Sequence, residues 1–442
     1  MNLLKACFIR VEVKKREFVS RLDLAIEMVR KGVPVIIGEC YDSKELLKLG
    51  IDKGYFFGKC AQPYTLNIFK PLLDHGWSFG ALDEEGLLPD NLEIFATGRF
   101  SSKSADMYKD IFFFGHKQKE TFEKIFGFRD SFIVSGNPRV DMWKSKCYNL
   151  YNQLEHDIKY KYGDFVLLPL NFTYYTNNSV KTLSQHKNLQ LSYKVLAEKS
   201  EFIFDSFCKL AERFAHEEKV KVIIRPHPAD NLQSVKKLMV KHGVKSNLVE
   251  CVATNDVFPW ISSAKILFHN CCTTSVEAGF IGTPVVSFAP SKISLLQDDE
   301  VNNLFPIVEN YEEAKVFLNQ TNNDLTSDFK NKVARWRSLN IQNSNTAASF
   351  IADKIIERNN FKPLQNFQIS NNIIDFKRIK YEFKAKIASM IGRHQNNVYL
   401  DKFPRTNIKE VENIVHHICK YRGYKKFIKI KSVNSRLFSI TT

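Results

Sequence analysis

The chain has 442 residues, 44% of them hydrophobic, which suits two or three globular domains with sizeable cores. It carries 64 Lys and Arg against 48 Asp and Glu, a net charge of +16, and no run approaches the roughly 20 apolar residues that a membrane span needs. The N-terminal residues lack the apolar core and cleavage pattern of a secretory signal, and the nine scattered cysteines show no CxxC or zinc spacing, which points to reduced thiols in the cytoplasm.

In chain order, residues 3–11 read as a strand, and a charged loop containing Lys14 and Arg16 follows. Phe18, Leu22, Ala25 and Val29 then recur at spacings of 4, 3 and 4, which predicts one apolar face of a helix. Residues 33–37 form the next strand, so the opening is a strand–helix–strand unit of a parallel sheet. Further strands are expected around residues 55–57, 77–79, 111–114 and 132–134, making residues 1–150 one α/β domain. Two loops in it stand out: Leu82-Asp83-Glu84-Glu85-Gly86, and the turn Ser135-Gly136-Asn137-Pro138-Arg139.

A polar linker over residues 143–162 leads to a second alternation, read as a domain over 160–345. Residues 165–168 are a strand ending at Asn171, followed by a polar loop to Ser179. Ile203, Phe207, Leu210 and Phe214 mark a helix, and strands follow at 220–224, 248–252, 266–268 and 285–288. Long helices are expected over 334–358. Residues 346–442 are set apart as C-terminal helices and a basic tail: from 361 onward there are 17 Lys and Arg against 5 Asp and Glu, most of the net charge of the chain. Such a tail suits a solvated surface, an anionic membrane or a nucleic acid.

Ligands of open α/β sheets sit outside the carboxyl ends of the strands. Thr273, Thr274 and Ser275 open a short helix after the strand at 266–268, where free N–H groups and hydroxyls suit a phosphate; Glu277 in the first turn suits a ribose hydroxyl. Simple helix capping explains the same residues. Arg225-Pro226-His227-Pro228 ends another strand of this domain, and its prolines hold His227 extended for a phosphate, or for a structural bond to a backbone carbonyl. There is no GxGxxG or Walker lysine loop. Asp83, Glu84 and Glu85 suit a general base, with neighbouring acids raising one another's pKa, or merely an exposed acidic turn. Lys14, Arg16 or Arg139 suit an anionic sugar. No spacing supports a metal site.

These stretches resemble the bacterial surface-carbohydrate biosynthesis proteins, glycosyltransferases of the GT-B type. The resemblance rests on Lys14-Lys15-Arg16-Glu17-Phe18, residues 82–87, residues 136–141, Arg225-Pro226-His227-Pro228 and residues 269–288, in that order. More distantly the pattern is similar to CMP-sialic acid and polysialic acid transferases. Their D/E-D/E-G, HP and Ser/Thr motifs would correspond to Glu84-Glu85-Gly86, His227-Pro228 and Thr274-Ser275. Capsule Kdo transferases and CDP-glycerol polymerases share parts of the layout.

The resemblance implies an α/β fold of two Rossmann-like, doubly wound domains facing across a cleft, plus the basic tail. It implies a metal-independent glycosyltransferase that needs no cofactor beyond its CMP-sugar donor, with Glu84 as base, or Asp83 or Glu85 if the register differs. Arg225, His227, Pro228, Thr273, Thr274, Ser275 and Glu277 would bind the nucleotide; Lys14, Arg16, Asn137, Arg139 and Asn171 would bind substrate. The expected partners are the nucleotide-sugar donor, a glycan or lipid-linked glycan acceptor and an anionic membrane met by the tail, at the inner face of the cytoplasmic membrane, with no nucleic acid. A CDP-polyol phosphotransferase, a nucleotide-sugar epimerase or hydrolase, and a non-catalytic polyanion-binding protein are the alternatives.

Overall fold

The computed structural model describes residues 4–40, 43–86, 92–177, 190–254, 256–293, 300–319, 327–342, 346–361, 376–390, 400, 402–425 and 428–442. Leu87, which ends the second stretch of the resemblance, and the end of the polar loop at Ser179 lie outside them. The chain divides into two compact units: unit 1 is Met1–Leu150 with Arg337–Thr442, and unit 2 is Tyr151–Trp336.

Unit 1 is built on β1 (Cys7–Arg10), β2 (Val35–Gly38), β3 (Tyr55–Gly58), β4 (Ser78–Leu82), β5 (Asp110–Phe113) and β6 (Phe132–Val134), paired in parallel in the order β2-β1-β3-β4-β5-β6. The strands are short, apolar runs buried on both faces, as parallel sheets require. The chain first steps from β1 to β2 on one side and then to β3 on the other, so the topological switch point lies between β1 and β3. Gly80 of β4 makes room between β3 and β5, at their amino-terminal ends: a Cβ would fall 1.9 Å from the Tyr55 hydroxyl, which is bonded to Asp110 at 2.7 Å.

Unit 2 is built on β7 (Phe165–Pro169), β8 (Lys221–Arg225), β9 (Val249–Cys251), β10 (Ile266–His269), β11 (Val285–Phe288) and β12 (Ile307–Val308). Its order is β12-β11-β10-β7-β8-β9, all parallel. The unit's first three strands run outward one way and its last three the other, the order of a dinucleotide-binding fold, with the switch point between β7 and β10. Ile203, Phe207, Leu210 and Phe214 are all buried against this sheet from helix Gln190–Glu217, as their spacing predicts.

The C-terminal segment holds helices Ala347–Arg358, Phe376–Met390 and Ile408–Tyr421, but it also holds two strands that the sequence reading did not foresee. β13 (Lys429–Ser432) and β14 (Leu437–Thr441) form an antiparallel hairpin, and β14 pairs antiparallel with β2, extending the sheet of unit 1 to eight strands. The alternation is weak in Lys429-Ile430-Lys431-Ser432 because β13 is an edge with little burial. Gly38 lets the hairpin approach: a Cβ there would fall 1.8 Å from the Arg436 carbonyl oxygen.

The tail also changes helix Lys14–Arg30. Spacing predicted one apolar face, yet every residue from Glu17 to Val29 is buried. Helices Ala347–Arg358 and Ile408–Tyr421 cover it, so its charged residues must be paired. Asp23 takes Arg422 and the Tyr148 hydroxyl, Glu27 takes Arg30 and Tyr424, and Arg21 takes Glu84. All nine cysteines are free thiols. Among the described residues no helix is long and apolar enough to cross a membrane.

Candidate functional site

In unit 1, the carboxyl ends of β1, β3 and β4 carry a charged cluster. Lys59 follows β3 and reaches Glu12 after β1 at 2.7 Å and Glu85 after β4 at 3.3 Å, across the switch point. Arg99 holds Asp83 at 2.7 Å and Glu85 at 2.7 Å. Arg16 lies 2.7 Å from Glu17 and 3.8 Å from Glu85.

The three neighbouring acids differ sharply. Glu84 turns inward: its carboxylate meets Arg21 at 2.8 Å and Asn137 Nδ2 at 3.3 Å. Arg21 donates also to the Leu82 carbonyl, and its plane lies 4.5 Å from the Phe57 ring, which partly offsets two N–H groups that have no partner among the described residues. Asp83 is buried beneath Arg99, and burial pushes its pKa up despite that partner. Glu85 is the accessible one, its side chain 42% exposed. Partial burial works to raise its pKa, but Lys59, Arg99 and Arg16 outweigh this and hold it below the usual carboxylate range. The expectation that the acids raise one another therefore fails at Glu85, because each carboxylate faces a cation rather than another acid. The same balance holds Glu12 at about 2: burial raises it, and Lys59 and Lys402 lower it further.

The predicted substrate residues of unit 1 separate. Arg16 belongs to the cluster. Asn137 is fully buried; besides Glu84 it caps helix Pro138–Lys144 by accepting from the Arg139 N–H at 2.7 Å. Arg139 stacks over Trp143 at 5.5 Å. Lys14 faces the tail, 2.7 Å from Glu410. Lys59, Arg99, Glu12 and Arg21 had not been singled out. The signal in the sequence is the position of Lys59 right after the buried strand β3.

In unit 2, the loops after β7, β8 and β10 are tied together. Asn171 Nδ2 donates to the Cys271 carbonyl at 2.8 Å, across the switch point. Thr176 donates to Asp230 at 2.8 Å and Asn177 to the Ala229 carbonyl at 2.8 Å, joining the β7 and β8 loops. The β10 turn is strained: Cys271 has φ of 51°, in the left-handed region. It is held by Asn302, whose Oδ1 accepts the Cys271 N–H at 2.9 Å, and by His269, whose Nδ1 faces the Cys272 N–H at 3.5 Å. His269 is buried, which drives its pKa down to about 3. Ser287 Oγ donates to the Asn302 carbonyl at 2.8 Å and lies 3.0 Å from His269 Nε2, so the neutral ring carries its proton on Nε2.

This turn delivers Thr273 and Thr274 to the start of helix Thr274–Ile281. Capping does not explain them, since Thr273 makes no side-chain cap bond. Among the described residues neither hydroxyl and neither N–H has a partner, while Ser275 is buried with its hydroxyl on the Cys272 carbonyl at 2.6 Å. Glu277 is buried in the first turn, and Gly282 ends the helix in the left-handed conformation.

After β8, Arg225 is buried against Trp260 and donates to the Thr254 carbonyl at 2.7 Å; burial lowers its pKa to about 10. It braces the loop from below. His227 is partly exposed above it. Its Nδ1 accepts the Ala229 N–H at 3.2 Å, which leaves the ring proton on Nε2. Pro228 is exposed beside it. Asp230, missed in the sequence, accepts the His227 N–H at 3.1 Å and is raised to about 6 by burial. The loops of unit 2 thus offer donors to an anion at a switch point. Among the described residues no group of three His, Cys, Asp or Glu is arranged to hold a metal ion.

No protein-family model matches the chain, and no curated protein sequence matches it. Among solved structures, the wall teichoic acid polymerase TagF is similar at 11% identity over 80% of this chain and 88% of that one, with a TM-score of 0.51. A histidine variant of TagF gives 11% identity over 86% and 90%, with a TM-score of 0.50. HepE from Anabaena, in complex with UDP and glucose, gives 10% identity over 80% and 98%, with a TM-score of 0.41. At these identities the TagF overlaps show the fold alone: an α/β fold of the GT-B kind, with two Rossmann-like sheets.

Proposed function

We propose that the chain is a glycosyltransferase that passes an acidic sugar of the ulosonic or nonulosonic type from a CMP-activated donor to a surface glycan or lipid-linked glycan. The observation that carries this reading is the strained, triply held turn at the switch point of unit 2, which presents Thr273 and Thr274 with donors that have no partner among the described residues. Those N–H and O–H groups, with His227 Nε2–H from the next loop, suit the phosphate of the nucleotide. Glu277 suits its ribose.

Unit 1 supplies the proton acceptor and the cations. The acceptor hydroxyl oxygen bonds to the anomeric carbon, its proton passes to Glu85, and the bond from that carbon to the phosphate oxygen breaks. The negative charge that appears on CMP meets the donors of unit 2. Glu85 takes the role first given to Glu84 because a base must reach a hydroxyl, and Glu84 is enclosed by Arg21 and Asn137. Arg16 and Lys59 suit the carboxylate of the sugar. The donor is a substrate, and the reading calls for no resident cofactor or metal.

A thermal-shift panel of CMP, CDP, UMP, UDP and GDP tests the nucleotide. Stabilisation by CMP above the uridine and guanosine nucleotides is expected; a response to UDP alone would overturn the CMP assignment. The likeness to a wall teichoic acid polymerase favours a second reading, a CDP-polyol phosphotransferase on the same loops. Its product would contain phosphorus, and CDP would stabilise more than CMP.

A further inference from the structure

Among the described residues, helix Phe376–Met390 of unit 1 is held by one side only. Arg378, 4% exposed, donates to the Phe403 carbonyl at 2.9 Å and to Glu382 at 2.8 Å, and Glu382 in turn takes Arg405 at 2.8 Å. Tyr381 is partly buried on the same side. The opposite side carries Ile379, Phe383 and Ile387, which are 50%, 65% and 44% exposed. At about 100° per residue these three fall within an arc of about 80°. Lys386 lies about 20° beyond one edge of the arc, and Lys380 about 20° beyond the other with Lys384 next to it. All three lysines are exposed. An exposed apolar residue such as Tyr160 stands singly and needs no explanation. A ridge of three on one helix, bordered on both sides by cations, does.

We infer that this helix docks on an anionic phospholipid bilayer. Ile379, Phe383 and Ile387 enter the boundary between headgroups and acyl chains, and Lys380, Lys384 and Lys386 meet the lipid phosphates. The helix has 15 residues, so its length of about 22 Å falls short of a roughly 30 Å hydrocarbon core, and it lies along the surface rather than across it. The ridge chooses lipid over a polynucleotide. Two of its three members are branched aliphatics with no flat face for a base, whereas single-stranded nucleic acid needs successive aromatic platforms. The charge of the segment agrees: residues 361–442 carry 17 Lys and Arg against 5 Asp and Glu. The inference is independent of the proposed transfer reaction.

The test is sedimentation of the full-length protein with vesicles of phosphatidylcholine alone or with roughly 30% phosphatidylglycerol. Binding to the anionic vesicles, weak binding to the neutral ones and release by about 0.5 M salt are expected. The charge-neutral variant Ile379→Ser, Phe383→Ser, Ile387→Ser should bind at least about tenfold more weakly, with an unchanged melting temperature because these side chains are exposed. Phe383→Leu should retain binding. No binding by the parent chain, or equal binding by the triple serine variant, would overturn the inference. So would salt-sensitive binding to single-stranded RNA without binding to vesicles. A dimer that the triple variant dissolves, with no vesicle binding, would show instead that a second copy covers the ridge.

Discussion

The Arg21 guanidinium lies 2.8 Å from the Glu84 carboxylate, and both side chains are only 1% exposed. The pair links helix Lys14–Arg30 to the turn after β4, and Asn137 extends the link to the turn after β6. Removing one partner leaves a buried, uncompensated charge, which typically costs about 3–5 kcal/mol. Glu84→Ala should therefore lower stability by that order in urea unfolding, and a double Arg21→Met, Glu84→Leu variant should recover much of it. A Glu84→Ala protein of parental stability would show that the pair contributes nothing to the fold.

Glu85 stands one residue further on and should behave in the opposite way. Its side chain is 42% exposed and sits among Lys59, Arg99 and Arg16, so Glu85→Gln keeps the shape and most of the packing. Urea stability should change by less than about 1 kcal/mol. Transfer should fall by about a hundredfold or more, the usual contribution of a positioned base, while the thermal shift with CMP persists. Full transfer by Glu85→Gln would remove it from the mechanism.

The contrast between these neighbours marks what sequence can and cannot reveal here. Burial on one face of residues 18, 22, 25 and 29, or a buried β10 followed by a hydroxyl cluster, is written in local spacing, so the two sheets and their strand-end loops were legible. Which of three adjacent acids points inward is decided by the turn after β4 and by a partner 63 residues earlier, Arg21, a cation at the border of the apolar stripe of an amphipathic helix. Likewise nothing local distinguishes a capping threonine from a free one. The difference lies in the left-handed Cys271 and its distant partner Asn302. The hairpin was missed for the same reason: β14 owes its burial to β2.

Thr273 and Thr274 should matter for nucleotide and little for folding, since Thr273 is exposed and neither hydroxyl has a partner among the described residues. A hydrogen bond to a charged group is worth about 1.5–3 kcal/mol, so Thr273→Val or Thr274→Val should weaken CMP binding by roughly tenfold to a hundredfold. His227→Phe, which removes the Nε2 donor, should do the same. Calorimetric titration measures this directly. Parental affinity in all three variants would move the phosphate elsewhere.

His269 sets an acid limit. Burial lowers its pKa from 6.5 to about 3, so between those values the unfolded chain binds a proton that the folded chain does not. Its stabilising contribution is complete above pH 6.5 and is lost as pH falls towards 3, at up to about 1.4 kcal/mol per pH unit. A His269→Gln protein should be less stable at pH 7.5 but should lose less stability on acidification to pH about 4.5 than the parent does. Parallel pH profiles of melting temperature for the two proteins would contradict this.

The hairpin gives the last prediction. Leu437, Phe438 and Ile440 of β14 are fully buried, and β14 covers the edge of β2, whose residues are all buried as well. Burying each such side chain is worth about 1.5–3 kcal/mol, so together they contribute roughly 5–9 kcal/mol, comparable to the whole net stability of a typical domain. Truncation after residue 428 would remove this, expose an apolar parallel-sheet edge and strip the Arg436 guanidinium from the Glu39 carbonyl it meets at 2.7 Å. An uncovered edge of that kind pairs with other chains. The truncated protein should accumulate as aggregate, whereas Lys429→Ser with Lys431→Ser, which alter only the outer strand β13, should leave solubility and melting temperature close to those of the parent. A soluble, cooperatively melting truncation would mean that the sheet of unit 1 is complete at β2 and that the basic tail is an appendage rather than part of the fold.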